Sequence, residues 1–82
     1  MERKIRYHEA AFKHGIEKED IEWAIKTQVF NETLIDDDAE IAVGFSRAAN
    51  LLEIGFREFD DGTLFVFHAD NCQKKWRIKA RV

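Results

Sequence analysis

Apolar and polar residues change their spacing several times along the chain. Residues 4–7 alternate (Lys4, Ile5, Arg6, Tyr7), as a short edge strand does. From residue 8 the spacing turns helical. Ala11 and Phe12 fall one turn from His8, and Gly15 stands where a left-handed residue commonly ends a helix, so a first short helix is expected over 8–14. A second follows. Glu17, Glu19 and Asp20 gather where a helix start favours acids. Ile21, Ala24, Ile25 and Gln28 share one face, with Trp23 off that stripe, and the pattern stops near Gln28.

Beyond Gln28 the period falls to two. Ile41, Val43 and Phe45 alternate with Glu40, Ala42, Gly44 and Ser46. After a turn over 46–50, Leu52, Ile54 and Phe56 alternate with Glu53, Gly55 and Arg57. Asp60-Asp61-Gly62-Thr63 is a hairpin signal, because Asp-Gly suits positive φ. Residues 64–69 are apolar on both faces and predict a central, buried strand. Residues 29–35 are a further strand candidate. So are residues 76–82, where Trp76, Ile78 and Ala80 alternate with Arg77, Lys79 and Arg81. The expected fold is α+β: two N-terminal helices packed on a three- or four-stranded antiparallel sheet, in one domain over 1–82 without internal repeats.

Composition narrows the classes. The 82 residues are 45% apolar, enough for one modest core without staples. The single cysteine, Cys72, has no intrachain partner, which predicts a reducing, cytoplasmic compartment. No apolar run approaches the roughly 20 residues of a membrane helix, and Met1-Glu2-Arg3-Lys4 leads into no signal-peptide core, so no membrane association is expected. Proline is absent and glycines number four, which argues against a disordered linker.

Charge is segregated. The net −3 conceals a local −7 over residues 17–40 and a local +5 over residues 72–82, with +2 over residues 1–16. If the two ends meet, they form one basic patch able to hold phosphates; otherwise the end is a solvated basic tail.

Candidate chemistry is sparse. There is no phosphate-binding glycine loop, no cysteine pair and no nucleophile elbow. Three histidines far apart in sequence and one thiol support no metal site, and no cofactor is expected. Asp36, Asp37 and Asp38 resemble a metal cluster, but consecutive acids in a loop point apart and read as a solvated turn. His68 ends the most apolar strand, where it is either a satisfied core histidine or a proton carrier. His14 follows Lys13 at a helix end that favours a cation. Arg47 lies in a turn, from which a long side chain reaches a ligand or solvent. Trp76, within the basic run, suits base stacking, though core packing is the simpler role.

Taken together, Lys13-His14-Gly15-Ile16, Glu19-Asp20-Ile21-Glu22-Trp23-Ala24, the run from Gly44 to Glu53, Phe67-His68-Ala69 and Lys74-Lys75-Trp76 occur in an order that resembles the BrnT-type toxins of bacterial toxin–antitoxin pairs. These belong to the RelE-like ribonucleases, and the resemblance covers nearly the whole chain. It implies a metal-independent endoribonuclease that cleaves messenger RNA and is neutralised by a cognate antitoxin. By position it implies His68, Arg47 and His14 as catalytic residues and Lys13, Lys74, Lys75 and Arg77 as RNA phosphate-binding residues. A homodimer or a toxin–antitoxin hetero-oligomer would be the assembly. Where such toxins commonly carry an arginine, Ala69 is followed here by Asp70. The alternative is a non-catalytic protein-interaction module that retains the fold, for which edge strands and segregated charge are suited.

Overall fold

The structure, a computed structural model, describes residues 3–34 and 38–82; Asp36 and Asp37 of the acidic run lie outside them. The chain forms strand β1 (Ile5–Tyr7), a 3-10 turn (Glu9–Phe12), helix α1 (Lys18–Lys26), strands β2 (Phe30–Leu34), β3 (Ala39–Phe45), β4 (Leu51–Glu58) and β5 (Leu64–Asn71), and helix α2 (Lys74–Ala80). Among the described residues these strands make one five-stranded sheet in the order β1-β5-β4-β3-β2. Strands β2 to β5 form an antiparallel meander, while β1 pairs parallel to β5 at the far edge. No helix among the described residues is long and apolar enough to cross a membrane.

This architecture corrects the expected one. The sheet is mixed and five-stranded, not antiparallel with three or four strands, because the segment 5–7 joins it beside a strand nearly sixty residues away. The first expected helix is only a 3-10 turn. The His8 Nδ1 accepts the Ala10 N–H at 3.0 Å, and Gly15, at φ 81°, ends the segment, which leaves no room to propagate an α-helix. The last segment is a helix, not a strand. Trp76 and Ala80 are four apart, and α2 turns both toward the sheet while Ile78 remains 65% exposed. The two helices therefore follow β1 and end the chain respectively, and they lie on opposite faces.

Those faces follow from the alternation along β3. Ala42 packs in one cluster with Ile21 and Ala24 of α1, together with Leu52, Ile54, Leu64 and Val66. Its neighbours Ile41 and Val43 point the other way and hold Trp76, with Phe30 and Leu34 of β2 alongside. On the α1 side, Gly44 makes the close approach possible. A Cβ there would run into the carbonyl oxygen of Ala24 and lie 2.7 Å from its carbonyl carbon and 2.9 Å from its Cα.

Strand β5 was expected to be buried on both faces. Leu64, Val66 and Ala69 are fully buried, but Phe65 and Phe67 are only half-buried, because α2 lies over β3 and leaves this half of the sheet open. A bulge between Gly55 and Phe56 shifts the register so that Gly55 opposes His68 and Phe56 opposes Val66. Phe67 is the extra residue. The Asp61-Gly62 turn forms as expected: Gly62 sits at φ 87°, and the Asp61 carboxylate accepts the Thr63 N–H at 2.9 Å. That bond holds the Asp61 carboxyl below the usual aspartate range.

Candidate functional site

His68 lies on the open face of β5, one position from the bulge. Across the sheet on β4, Glu53 points to the same face and is 2% exposed. Its carboxylate accepts from His68 Nε2 at 2.8 Å, from the Gln73 backbone N–H at 2.7 Å and from Gln73 Nε2 at 3.2 Å. One buried charge thus ties β4, β5 and the first residue of the α2 cap together. A carboxylate only accepts, so His68 carries its proton on Nε2 in the neutral ring and keeps a lone pair on Nδ1.

His14 reaches the same place from β1. The His8 N–H donates to the Val66 carbonyl at 2.8 Å, which steers the 3-10 turn along β5 beyond the end of β1. Gly15 then turns the chain away, leaving His14 beside β5. Its ring lies edge-on to that of His68, with centroids 5.9 Å apart and an interplanar angle of 78°. Its Nε2 is 3.6 Å from Asp70 Oδ2. That length is too long for a hydrogen bond, and the contact is an ion pair only with the ring protonated. The side chains of His14, His68 and Asp70 are 35%, 27% and 27% exposed, so a ligand can reach both rings.

The result is a pair of accessible imidazoles, each with its own carboxylate. One is set by Glu53 to accept a proton at Nδ1. The other, facing Asp70, is placed to carry one. That is the constellation general acid–base catalysis requires. Among the described residues no three His, Cys, Asp or Glu side chains converge as a metal ion would need.

The other sequence-selected residues are placed differently. Arg47, in the β3–β4 turn, donates to Asp20 through its backbone N–H and its Nε, both at 2.9 Å, and to Glu17 through Nη2 at 3.2 Å. Its contacts are with the start of α1, not with the imidazole pair. Arg47 holds the Asp20 carboxyl below its ordinary range, and the acids raise the guanidinium in return. Lys13 is exposed next to His14. Lys75 and Lys79 lie over the Trp76 ring, with Nζ 5.1 and 5.2 Å from its centroid. Trp76 itself is 7% exposed and serves the core. Lys74 directly follows Gln73, and with Arg77, Ile78 and Arg81 it lines a shallow groove on the outer side of α2.

Both histidines stand out in the sequence as candidate residues, but their carboxylates do not. Glu53 sits on the polar side of a period-two pattern, which normally means solvent. Its signal was weak: the one acid within Leu51–Phe56. Asp70 stood out as a departure from the toxin pattern, and the structure places it against His14. Cys72 is half-buried beside Glu53, and burial pushes its thiol up from the ordinary value, with the Glu53 charge adding to the effect. The sequence matches no protein-family model and no curated protein.

Proposed function

We propose that this protein is a metal-independent endoribonuclease, the toxin of a BrnT-like toxin–antitoxin pair acting in the cytoplasm. The observation that supports the reading is the His14–His68 pair, edge-on at 5.9 Å with a carboxylate behind each ring. In this mechanism His68 Nδ1 takes the proton of a ribose 2′-hydroxyl. The 2′-oxygen forms a bond to phosphorus as the bond from phosphorus to the 5′-oxygen breaks. Protonated His14 gives its proton to that leaving oxygen. The products are a 2′,3′-cyclic phosphate and a 5′-hydroxyl, and proton exchange with water resets both rings. Asp70 stabilises the charge of His14 before transfer. Lys74 and Arg77 on α2 and Lys13 beside His14 supply cations for neighbouring phosphates. Arg47 contributes through its clamp on α1.

The test is expression in a bacterium without an antitoxin. Growth arrest that disappears with His14→Ala or His68→Ala supports the proposal. Normal growth while folded wild-type protein accumulates contradicts it. That outcome favours a non-catalytic interaction module, whose open edges at β1 and β2 would take a partner strand.

A further inference from the structure

The open half of the sheet carries a second feature that the imidazole chemistry does not use. Arg6 of β1 and Arg57 of β4 both stand opposite Phe65 of β5. Residues paired in register project to the same face, so an aromatic ring is flanked on both sides by arginines. Phe59 stacks against Phe65, with ring centroids 6.0 Å apart at 20°, and is itself 46% exposed. The Phe67 ring lies over Gly55, where a Cβ would come within 3.1 Å of it, and the Arg57 guanidinium sits 5.3 Å from its centroid. Phe67 is followed directly by His68.

From this arrangement we infer that Phe65, Phe67 and Phe59, bracketed by Arg6 and Arg57, form a shelf that binds the bases of single-stranded RNA next to the imidazole pair. The inference rests on the ribonuclease reading for its substrate and adds a binding subsite to it. Rings alone would suit a protein partner equally. What favours a nucleic acid is the pair of arginines in register with the ring. Flat faces take bases, and the flanking guanidinium groups take phosphates. A strand laid along β5 from Phe65 past Phe67 leads straight to His68. A duplex keeps its bases stacked inside and offers the shelf only its backbone.

The experiment uses the full chain and fluorescently labelled RNA oligonucleotides carrying 2′-O-methyl groups, which remove the attacking hydroxyl, with binding read by anisotropy. The single strand is expected to bind at least about tenfold tighter than the matching duplex. Phe65→Ala should weaken it about fivefold to a hundredfold, the range found for losing one stacked base, while Phe65→Trp retains binding. An abasic oligonucleotide of equal charge should lose as much. Arg6→Gln and Arg57→Gln should each lower the slope of log affinity against log salt by about 0.7.

Equal binding of the abasic and normal strands overturns the shelf. So does unchanged affinity in Phe65→Ala, or a Phe65→Ala effect on self-association alone. Cleavage of unmodified RNA, measured in parallel, separates the two proposals. Cleavage with no dependence on Phe65 or Phe67 removes the shelf and leaves the nuclease. Base-dependent binding without cleavage removes the nuclease and leaves the shelf.

Discussion

Replacing Glu53 by glutamine changes one atom and tests the whole arrangement. The side chain is 2% exposed and its three hydrogen bonds are fixed by β4, β5 and the start of α2. Glutamine keeps one acceptor, which the Gln73 N–H at 2.7 Å retains. Its NH2 group then faces His68 Nε2. A donor there requires Nε2 to accept, so the ring proton moves to Nδ1, the nitrogen that should take the 2′-hydroxyl proton. The same exchange in another histidine–carboxylate pair lowers the rate by on the order of 10⁴ through the wrong tautomer. Stability should fall much less. The weak bond from Gln73 Nε2 at 3.2 Å loses its acceptor and the other two lose charge assistance, which corresponds to about 1–3 kcal/mol. Two measurements separate these effects: RNA cleavage rate, and urea unfolding of the same protein. Nitrogen-15 NMR of the His68 ring reports the tautomer directly. Cleavage within tenfold of wild type, with the proton shown to be on Nδ1, would refute the role given to His68.

Other outcomes follow from single contacts. Gly44→Ala places a methyl group against the backbone of Ala24, which cannot rotate away, so α1 must shift. The loss should be at least about 2 kcal/mol, or roughly 8–16 °C in melting temperature, and an unchanged melting temperature would contradict the packing described. Asp20 has a lowered carboxyl in the folded protein, so its contribution is complete above the ordinary aspartate value of about 3.9 and is lost as pH falls through the lower folded one. The stability advantage of wild type over Asp20→Asn should therefore be largest at neutral pH and shrink in acid, as urea midpoints at several pH values will show; a constant advantage would exclude the clamp. Cys72, with its thiol raised by burial, should be alkylated more slowly in the native protein than in urea at neutral pH, and equal rates would argue against that burial.

Local signals carried most of the elements. The acidic start and apolar stripe of α1, the alternation in β3 and β4, and the Asp61-Gly62 turn all depend on neighbours in sequence, and each stands where it was expected. The parallel pairing of β1 with β5 does not depend on neighbours, since three residues that alternate say nothing about which strand they join. The end of the chain was misread for a different reason. Trp76, Ile78 and Ala80 satisfy a period of two, while Trp76 and Ala80 also satisfy a helical turn, and burial against Ile41 and Val43 decided for the helix.

The candidate site was legible in part for the same reasons. His14 and His68 were visible as residue types, but their meeting depends on the β1–β5 pairing. In the sequence Arg47 is a turn side chain that reaches either a ligand or solvent, and its partners are Asp20 of α1 and the N-cap residue Glu17, 27 and 30 residues away in the chain. The phenylalanines of β5 read as core because apolar runs usually are. Only the placement of α2 over β3 shows that one of their faces is open.

The central claim is that two imidazoles transfer protons during RNA cleavage without a metal. The most direct measurement is incubation of the purified chain with a defined RNA in the presence of a metal chelator, with the product ends identified by mass spectrometry. The account predicts fragments ending in a 2′,3′-cyclic phosphate, a bell-shaped rate profile against pH, and loss of cleavage in His14→Ala and in His68→Ala. Intact RNA with folded protein, or cleavage that persists in both variants, would contradict it.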